Sequence, residues 1–299
     1  MKRKLEVSEL VFKILSYLFL GIFSLMCLYP FVFALSSSIS SSAAVDSNQV
    51  ILIPKDLQFD AFKEMFADNL FWNAYANTLF LTVYGTVWAL GVSLLGAYAL
   101  SKKRLLFRKG FNFFLVFTMW FSAGLVPQYL NYVKTGRIFD SLGITDDKWL
   151  VVIAMGMAAM NIILLRNAFE GVPSEIEEAA IVDGATEMQV LSKVYIPMSQ
   201  STIATVSLFF AISRWNGYFW ARQMISNSNE QPLQVFIRIK LERYTDLEYL
   251  KGWPIIHPTY SANSAIYALV ICAVIPILII YPFIQKYFAK GVNMGGVKE

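Results

Sequence analysis

Six long apolar runs separated by polar segments organise this chain of 299 residues. They lie at roughly 12–35, 72–100, 111–132, 149–168, 198–220 and 262–285, and a helix needs about 20 apolar residues to cross a hydrocarbon core. The runs are continuously apolar. A strand of a membrane barrel would alternate apolar and polar side chains over about 10 residues. The pattern therefore predicts an all-α integral membrane protein with six transmembrane helices. Between the runs lie outer loops at 36–71, 132–148 and 221–261, a polar segment at 173–197 and a C-terminal tail at 286–299. The first loop opens on the serine-rich stretch Ser36–Ser42, which reads as a flexible exit from the membrane. Phe59, Phe62 and Phe66 then follow at helical spacing, as an amphipathic surface helix or a solvated connector would have them. The third loop, with Pro232, Pro254 and Pro258, is too polar to span. It either meets a soluble partner or folds back on the bundle.

Composition narrows the class. With 57% hydrophobic and 15% charged residues, a soluble domain is excluded. The first run exceeds the about 7–15 residues of a signal-peptide core, so it is expected to be an uncleaved span. Basic residues flank the runs unevenly. Lys2, Arg3, Lys4 and Lys13 precede the first, Lys102, Lys103, Arg104, Arg108 and Lys109 follow the second, and Lys286, Lys290 and Lys298 follow the last. With six spans these fall on one side, which places both termini in the cytoplasm. The outer loop at 221–261 runs against this rule with Arg222, Arg238, Lys240, Arg243 and Lys251. No basic face interleaved with aromatics supports nucleic-acid binding. Cys27 and Cys272 sit inside apolar runs as packing thiols, and His257 is the sole histidine, so no Cys/His metal site is expected.

The polar segment at 173–197 is the most specific feature. Pro173 and Ser174 open a short helix, Ser174 and Glu177 have capping-box spacing, and Gly184 closes it. Thr186 and Gln189 repeat the box, which predicts a second short helix at an angle, and Pro197 marks the join to the next run. The residues Glu178-Ala179-Ala180, then Gly184, then Val194, Ile196 and Pro197 resemble the Glu-Ala-Ala signature loop of ABC importer permeases with its spacing intact. Asp183-Gly184-Ala185 fits as well. Weaker matches at Asn77-Thr78-Leu79, Tyr98-Ala99-Leu100-Ser101 and the Gly-rich tail make the chain similar to the carbohydrate-uptake branch, and to the maltose type in particular.

The resemblance implies a type I importer permease in a bacterial cytoplasmic membrane. It implies four partners besides the lipid bilayer: a second homologous permease, two cytoplasmic ATPase subunits and an extracytoplasmic solute-binding protein. ATP and magnesium would bind on the ATPase and no cofactor on this chain. Glu178, Ala179, Ala180, Asp183, Gly184 and Pro197 become the ATPase-coupling residues, with the two alanines small enough to lie in a groove. Gly291, Gly295 and Gly296 become an ATPase-contact tail.

Two features of the residues themselves agree. The cores of the six runs hold no Asp, Glu, Lys, Arg or His, with Arg214 near one predicted end, whereas an ion-coupled carrier keeps ionisable groups at membrane depth. The chain also lacks the Gly-x-x-x-x-Gly-Lys-Ser/Thr phosphate loop. Candidate lining of the solute pathway is Asn77, Asn161, Trp215, Asn216 and Tyr218, since sugars stack on aromatic rings and bond to amides. The aromatic cluster at 214–220 equally suits an interfacial belt. A membrane-embedded enzyme for lipid-linked sugars and an ion-coupled carrier stand as the alternatives from other classes.

Overall fold

The structure is a computed structural model that describes residues 7–249 and 261–295. Lys2–Lys4, Lys251, Pro254, His257, Pro258, Gly296 and Lys298 lie outside the described residues. Within them every regular element is a helix. In order come α1 (Val7–Ser38), α2 (Ser42–Asp46), α3 (Asp60–Ala67), α4 (Asn69–Ser101), α5 (Arg108–Trp120), α6 (Leu125–Ser141), α7 (Asp147–Ala154) and α8 (Ala159–Glu170). There follow α9 (Ser174–Val182), α10 (Glu187–Val190), a π turn (Leu191–Tyr195), α11 (Ile196–Met198), α12 (Gln200–Trp215), α13 (Phe219–Met224), α14 (Leu233–Tyr249) and α15 (Ala262–Gly295).

Among these, α1, α4 and α15 are long and apolar enough to cross a membrane unaided, and counting each bent helix pair as one span brings the total to six. Three expected spans are therefore not straight. The run at 111–132 is split into α5 and α6, which meet at 113°. Gly124 turns the chain with φ of 84°, and the Ser122 hydroxyl accepts from the Gly124 amide at 3.2 Å. The run at 149–168 breaks into α7 and α8 at 59°, with Gly156 at φ of 59° between them. The run at 198–220 ends helically at Trp215, and Glu187–Met198 meets α12 at 90°. Pro197 sits at this bend. A proline crowds the carbonyl four residues back, and the widened π turn just before it relaxes that crowding.

The chain divides into two compact units. In the first (residues 1–69 and 237–277) the serine-rich exit is a stapled corner, contrary to the flexible stretch expected. Ser36, Ser37, Ser38 and Ser40 are all buried. The Ser36 hydroxyl donates to the Leu52 carbonyl at 2.6 Å, and the Ser40 hydroxyl accepts from the Lys55 amide at 3.0 Å. Side-chain oxygens here satisfy backbone groups that no helix partner reaches. The aromatic stripe is also read differently by the fold: α3 buries Ala61 and Met65, while Phe59 and Phe66 stay exposed.

The second unit (70–236 and 278–299) is built on α4. Every fourth residue of that helix from Asn77 to Ser101 is buried: Asn77, Leu81, Gly85, Ala89, Ser93, Ala97 and Ser101. Five of the seven are small, and small residues let helix backbones approach closely where lipid removes the hydrophobic drive. Towards its C-terminal end this ridge packs on Leu165, Phe169, Val190, Tyr195 and Val206. At its N-terminal end the loop leading into α14 folds back on it. The Asn77 amide donates to the Asn229 carbonyl at 2.7 Å, and the Thr78 hydroxyl accepts from the Leu233 amide at 2.7 Å. The expected tail is helical as far as it is described, since α15 runs unbroken through Gly291 to Gly295.

Candidate functional site

The polar segment forms an elbow, α9 followed by α10, hung between α8 and the π turn. Gly184 holds φ of 82° at the corner, and the Ala185 amide donates to the Ala180 carbonyl at 2.9 Å. Thr186 and Gln189 make the reciprocal capping box that opens α10. At Gly184 a Cβ would meet nothing within 4 Å. Gly184→Val is therefore expected to cost about 1–2 kcal/mol through backbone strain alone, read as a lowered thermal midpoint of the detergent-solubilised protein.

Ser174 and Glu177 do not form the expected capping box. Pro173 is the cap residue and no side chain caps α9. Glu177 turns instead to the end of α4. One carboxylate oxygen lies 2.7 Å from the Lys102 ammonium and the other accepts from the Tyr195 hydroxyl at 2.5 Å, with the Arg104 guanidinium 3.6 Å away. Arg104 also pairs with Glu187, whose second oxygen accepts from the Tyr98 hydroxyl at 2.7 Å. Three donors outbid the backbone N–H of Ser174 for one carboxylate.

Lys102 is 8% exposed. Its ammonium sits 4.1 Å from the centre of the Tyr98 ring and 3.9 Å from that of Tyr195. Those rings meet edge-on at 5.2 Å, and Phe169 stands edge-on to both. Ring faces attract a desolvated cation, so the box and Glu177 together hold the charge that burial disfavours. Burial lowers the Lys102 ammonium's pKa against the pull of Glu177. Burial raises that of Glu177, but the bonds from Lys102 and Tyr195 outweigh it and hold the carboxyl below its usual range. The pair is thus secured mainly from its carboxylate side. Next to it Arg108 pairs with Glu170 and donates to the Leu100 carbonyl at 2.9 Å, closing the end of α4. A cleft of about 630 Å³ opens over this cluster, lined in part by Lys103, Arg104, Glu177, Glu178 and Ile181.

The elbow has a second, outward face. Glu178, Ala179, Asp183 and Gly184 are exposed, as are Ile176, Ile181 and Met188, and Val182 is 87% exposed. Ala180 and Ala185 point the other way and pack on the core of the second unit. Of the two alanines expected in a partner's groove, only Ala179 is available. Pro197 is exposed at the bend beyond.

The pathway candidates do not act as one group. Asn77 is buried with its amide committed to loop carbonyls, and its oxygen accepts from Lys148 at 3.4 Å. Asn161 is buried in the first turn of α8. Trp215 is buried edge-on to Tyr75 at 5.9 Å, Tyr218 is half-buried, and Asn216 is exposed with its amide on the Ile212 carbonyl. Two arginines qualify the uncharged interior. Arg166, in α8, donates to the Asn112 side chain and pairs with Glu170 at 3.4 Å. Arg214, in the last turn of α12, is 3% exposed. In the sequence Lys102 reads as a basic loop residue, Tyr98 as the close of a span and Tyr195 as part of the polar segment, with no sign that the three meet. The four-residue spacing of small residues ending at Ser101 and the Tyr98-Ala99-Leu100-Ser101 match both point to this end of α4.

Comparison with known proteins agrees with the geometry. The chain is 35% identical over 293 residues to a polygalacturonan/rhamnogalacturonan transport system permease protein of Bacillus subtilis, covering 96% of this chain and 98% of that one. It is 26% identical to a maltodextrin transport system permease protein of the same organism, over 98% of this chain and 99% of the other. It superposes with a TM-score of 0.82 and 40% identity on a chain of a bacterial ABC transporter involved in the import of the acidic polysaccharide alginate, covering 96% of this chain and all of that one. Residues 5–294 match the family of binding-protein-dependent transport system inner membrane components, and the chain belongs to that family, as a membrane-embedded permease subunit of an ABC transporter with no ATPase site of its own.

Proposed function

We propose that this permease forms half of the translocation pathway of an ATP-driven importer for a sugar or oligosaccharide, and that the α9–α10 elbow is where a separate ATPase docks. The observation that carries the reading is the two-sidedness of the elbow. Its inner side is fastened to α4 by the Lys102–Glu177 pair, and its outer side presents Val182, Met188 and Glu178 to solvent. A short helix held rigidly on one side and bare on the other passes a push from a partner into the helix it is tied to. Exposed apolar side chains beside carboxylates suit a protein surface that offers a greasy groove and a basic rim.

The remaining assembly follows from this role. A second permease completes the pathway, two ATPase subunits hydrolyse magnesium ATP, and a binding protein delivers solute on the opposite face. The basic loop at 102–109 and the elbow then lie in the cytoplasm together with both termini. The glycines at the end of α15 stay candidates for a further ATPase contact. Mechanism is alternating access: closure of the ATPase pair moves the two permeases' elbows together and opens the cavity outward, and hydrolysis returns it inward.

A cysteine crosslink tests the docking. Cys27 and Cys272 are replaced by serine, Val182→Cys or Met188→Cys is introduced and labelled with a benzophenone maleimide, and the native assembly is irradiated so that the benzophenone inserts into a C–H bond of whatever lies against it. Capture of the ATPase in an assembly that still takes up sugar is the expected result. An active assembly that yields no ATPase adduct from either position sinks the reading.

A further inference from the structure

Arg214 is the most deeply buried ionisable side chain among the described residues. The fold makes room for it deliberately. A Cβ at Gly85 would lie 3.0 Å from Arg214 Cδ and 3.1 Å from Nε, so a larger residue there would push the arginine side chain aside by a few tenths of an ångström. The break between α7 and α8 leaves the Gly156 carbonyl without a helical partner, and Arg214 Nη2 donates to it at 2.6 Å. The guanidinium also lies in the last turn of α12, where a helix end favours a cation.

Among the described residues no anion meets this cation. No described carboxylate forms an ion pair with Arg214, and its Nε and Nη1 are buried with no hydrogen-bond partner. A charge at membrane depth is costly unless something pairs with it. Among the described residues the charge thus has no counter-ion, while Trp215, Tyr218 and Trp220 follow it closely in the chain and Tyr132 stands edge-on to Trp220 at 4.7 Å. Aromatic faces next to a guanidinium are what a sugar acid requires, since the ring stacks and the carboxylate takes the N–H donors. Two of the relatives that cover nearly the whole chain are named for the transport of acidic polysaccharides.

We propose that Arg214 is a specificity-determining residue that reads the carboxylate of a uronate-bearing oligosaccharide as it passes α12. The Gly156 carbonyl holds the guanidinium while no carboxylate is present. The free nitrogens are closed off in this conformation, so substrate reaches them in a state of the cycle in which α12 has parted from the α7–α8 break. The inference rests on the sugar-import reading and adds the charge of the cargo.

The test uses the complete importer in proteoliposomes, with its binding protein saturated by labelled trigalacturonate. Arg214→Met is expected to lower uptake by about 30-fold or more, while ATP hydrolysis stimulated by the loaded binding protein stays within about threefold of wild type. Gly85→Ala, which pushes on the guanidinium without removing it, is expected to give the same split in weaker form. With carboxyl-reduced trisaccharide on a binding protein saturated by it, Arg214→Met and wild type should match. Uptake of trigalacturonate that is unchanged in Arg214→Met overturns the proposal. So does a fall of uptake and ATP hydrolysis together, which would make Arg214 a structural pin or the partner of an acid on the second permease. Wild type that moves the reduced sugar and not the acid refutes the charge assignment and leaves sugar import standing. Wild type that moves neither sugar overturns the uronate assignment, and uptake of a neutral maltooligosaccharide then tests sugar import separately.

Discussion

Lys102→Met should uncouple the importer. Removing one partner of a buried ion pair costs about 3–5 kcal/mol, because the other charge is left stranded. Here Glu177, whose side chain is 16% exposed, would keep only the Tyr195 hydroxyl and the longer contact to Arg104 at 3.6 Å. At about 1.4 kcal/mol per tenfold, contact between the elbow and α4 weakens by about 100-fold or more. The ATPase would still find the outward face, but its motion would no longer be passed to α4. ATP hydrolysis by the assembled transporter should persist while uptake falls by about 100-fold, following the loss of that contact. Lys102→Met combined with Glu177→Met should recover part of the loss, since two methionines fill an aromatic box without an unpaired charge. A single variant with wild-type uptake would show that the pair is ornamental to transport.

Glu178→Arg is expected to act on assembly and to leave the fold untouched. Glu178 is exposed and forms no ion pair with a described residue, so its reversal breaks nothing within the chain. At a docked interface, truncating one member of a charge pair costs about 2–5 kcal/mol, and reversing it adds repulsion. The permease should still insert and melt at the wild-type temperature, while co-purification of the ATPase drops by about 30-fold or more. The two neighbouring glutamates thus separate by readout. Loss at Glu177 is expected in energy transfer, and loss at Glu178 in subunit recovery. An assembly recovered at full yield with Glu178→Arg would remove this carboxylate from the interface.

Much of the fold was legible because lipid imposes a simple rule. Backbone groups in hydrocarbon must bond within their own helix, so long apolar runs such as 72–100 and 262–285 announce themselves. The breaks were less visible. Gly124 and Gly156 each sit inside an apolar run, and a glycine there reads equally as a packing residue or as a turn. Positive φ is a property of the path the chain takes, not of the residue's name. The serine-rich exit misled in the opposite sense. Serines usually mark mobile loops, but here their hydroxyls meet the Leu52 carbonyl and the Lys55 amide across a corner that sequence spacing does not reveal.

The elbow divides along the same line. Its existence, its Gly184 corner and the Thr186–Gln189 cap follow from neighbours within a few residues, and such local chemistry is written in order along the chain. Ser174 and Glu177 had the right spacing for a cap as well, and the rule failed because Lys102, Arg104 and Tyr195 arrive from elements far away in sequence. A basic loop that sequence could use only to assign a side of the membrane turned out to be the fastening of the elbow. By itself the sequence determined an all-helical membrane protein with a polar bend, since hydrophobic length and local turn chemistry need no tertiary information, and the resemblance of that bend to the importer signature loop supplied the permease reading. Only the tertiary structure decided which charges are paired, and that Arg214 is buried with no carboxylate of the described residues against it. Pairing depends on distances between segments, and burial makes those distances count.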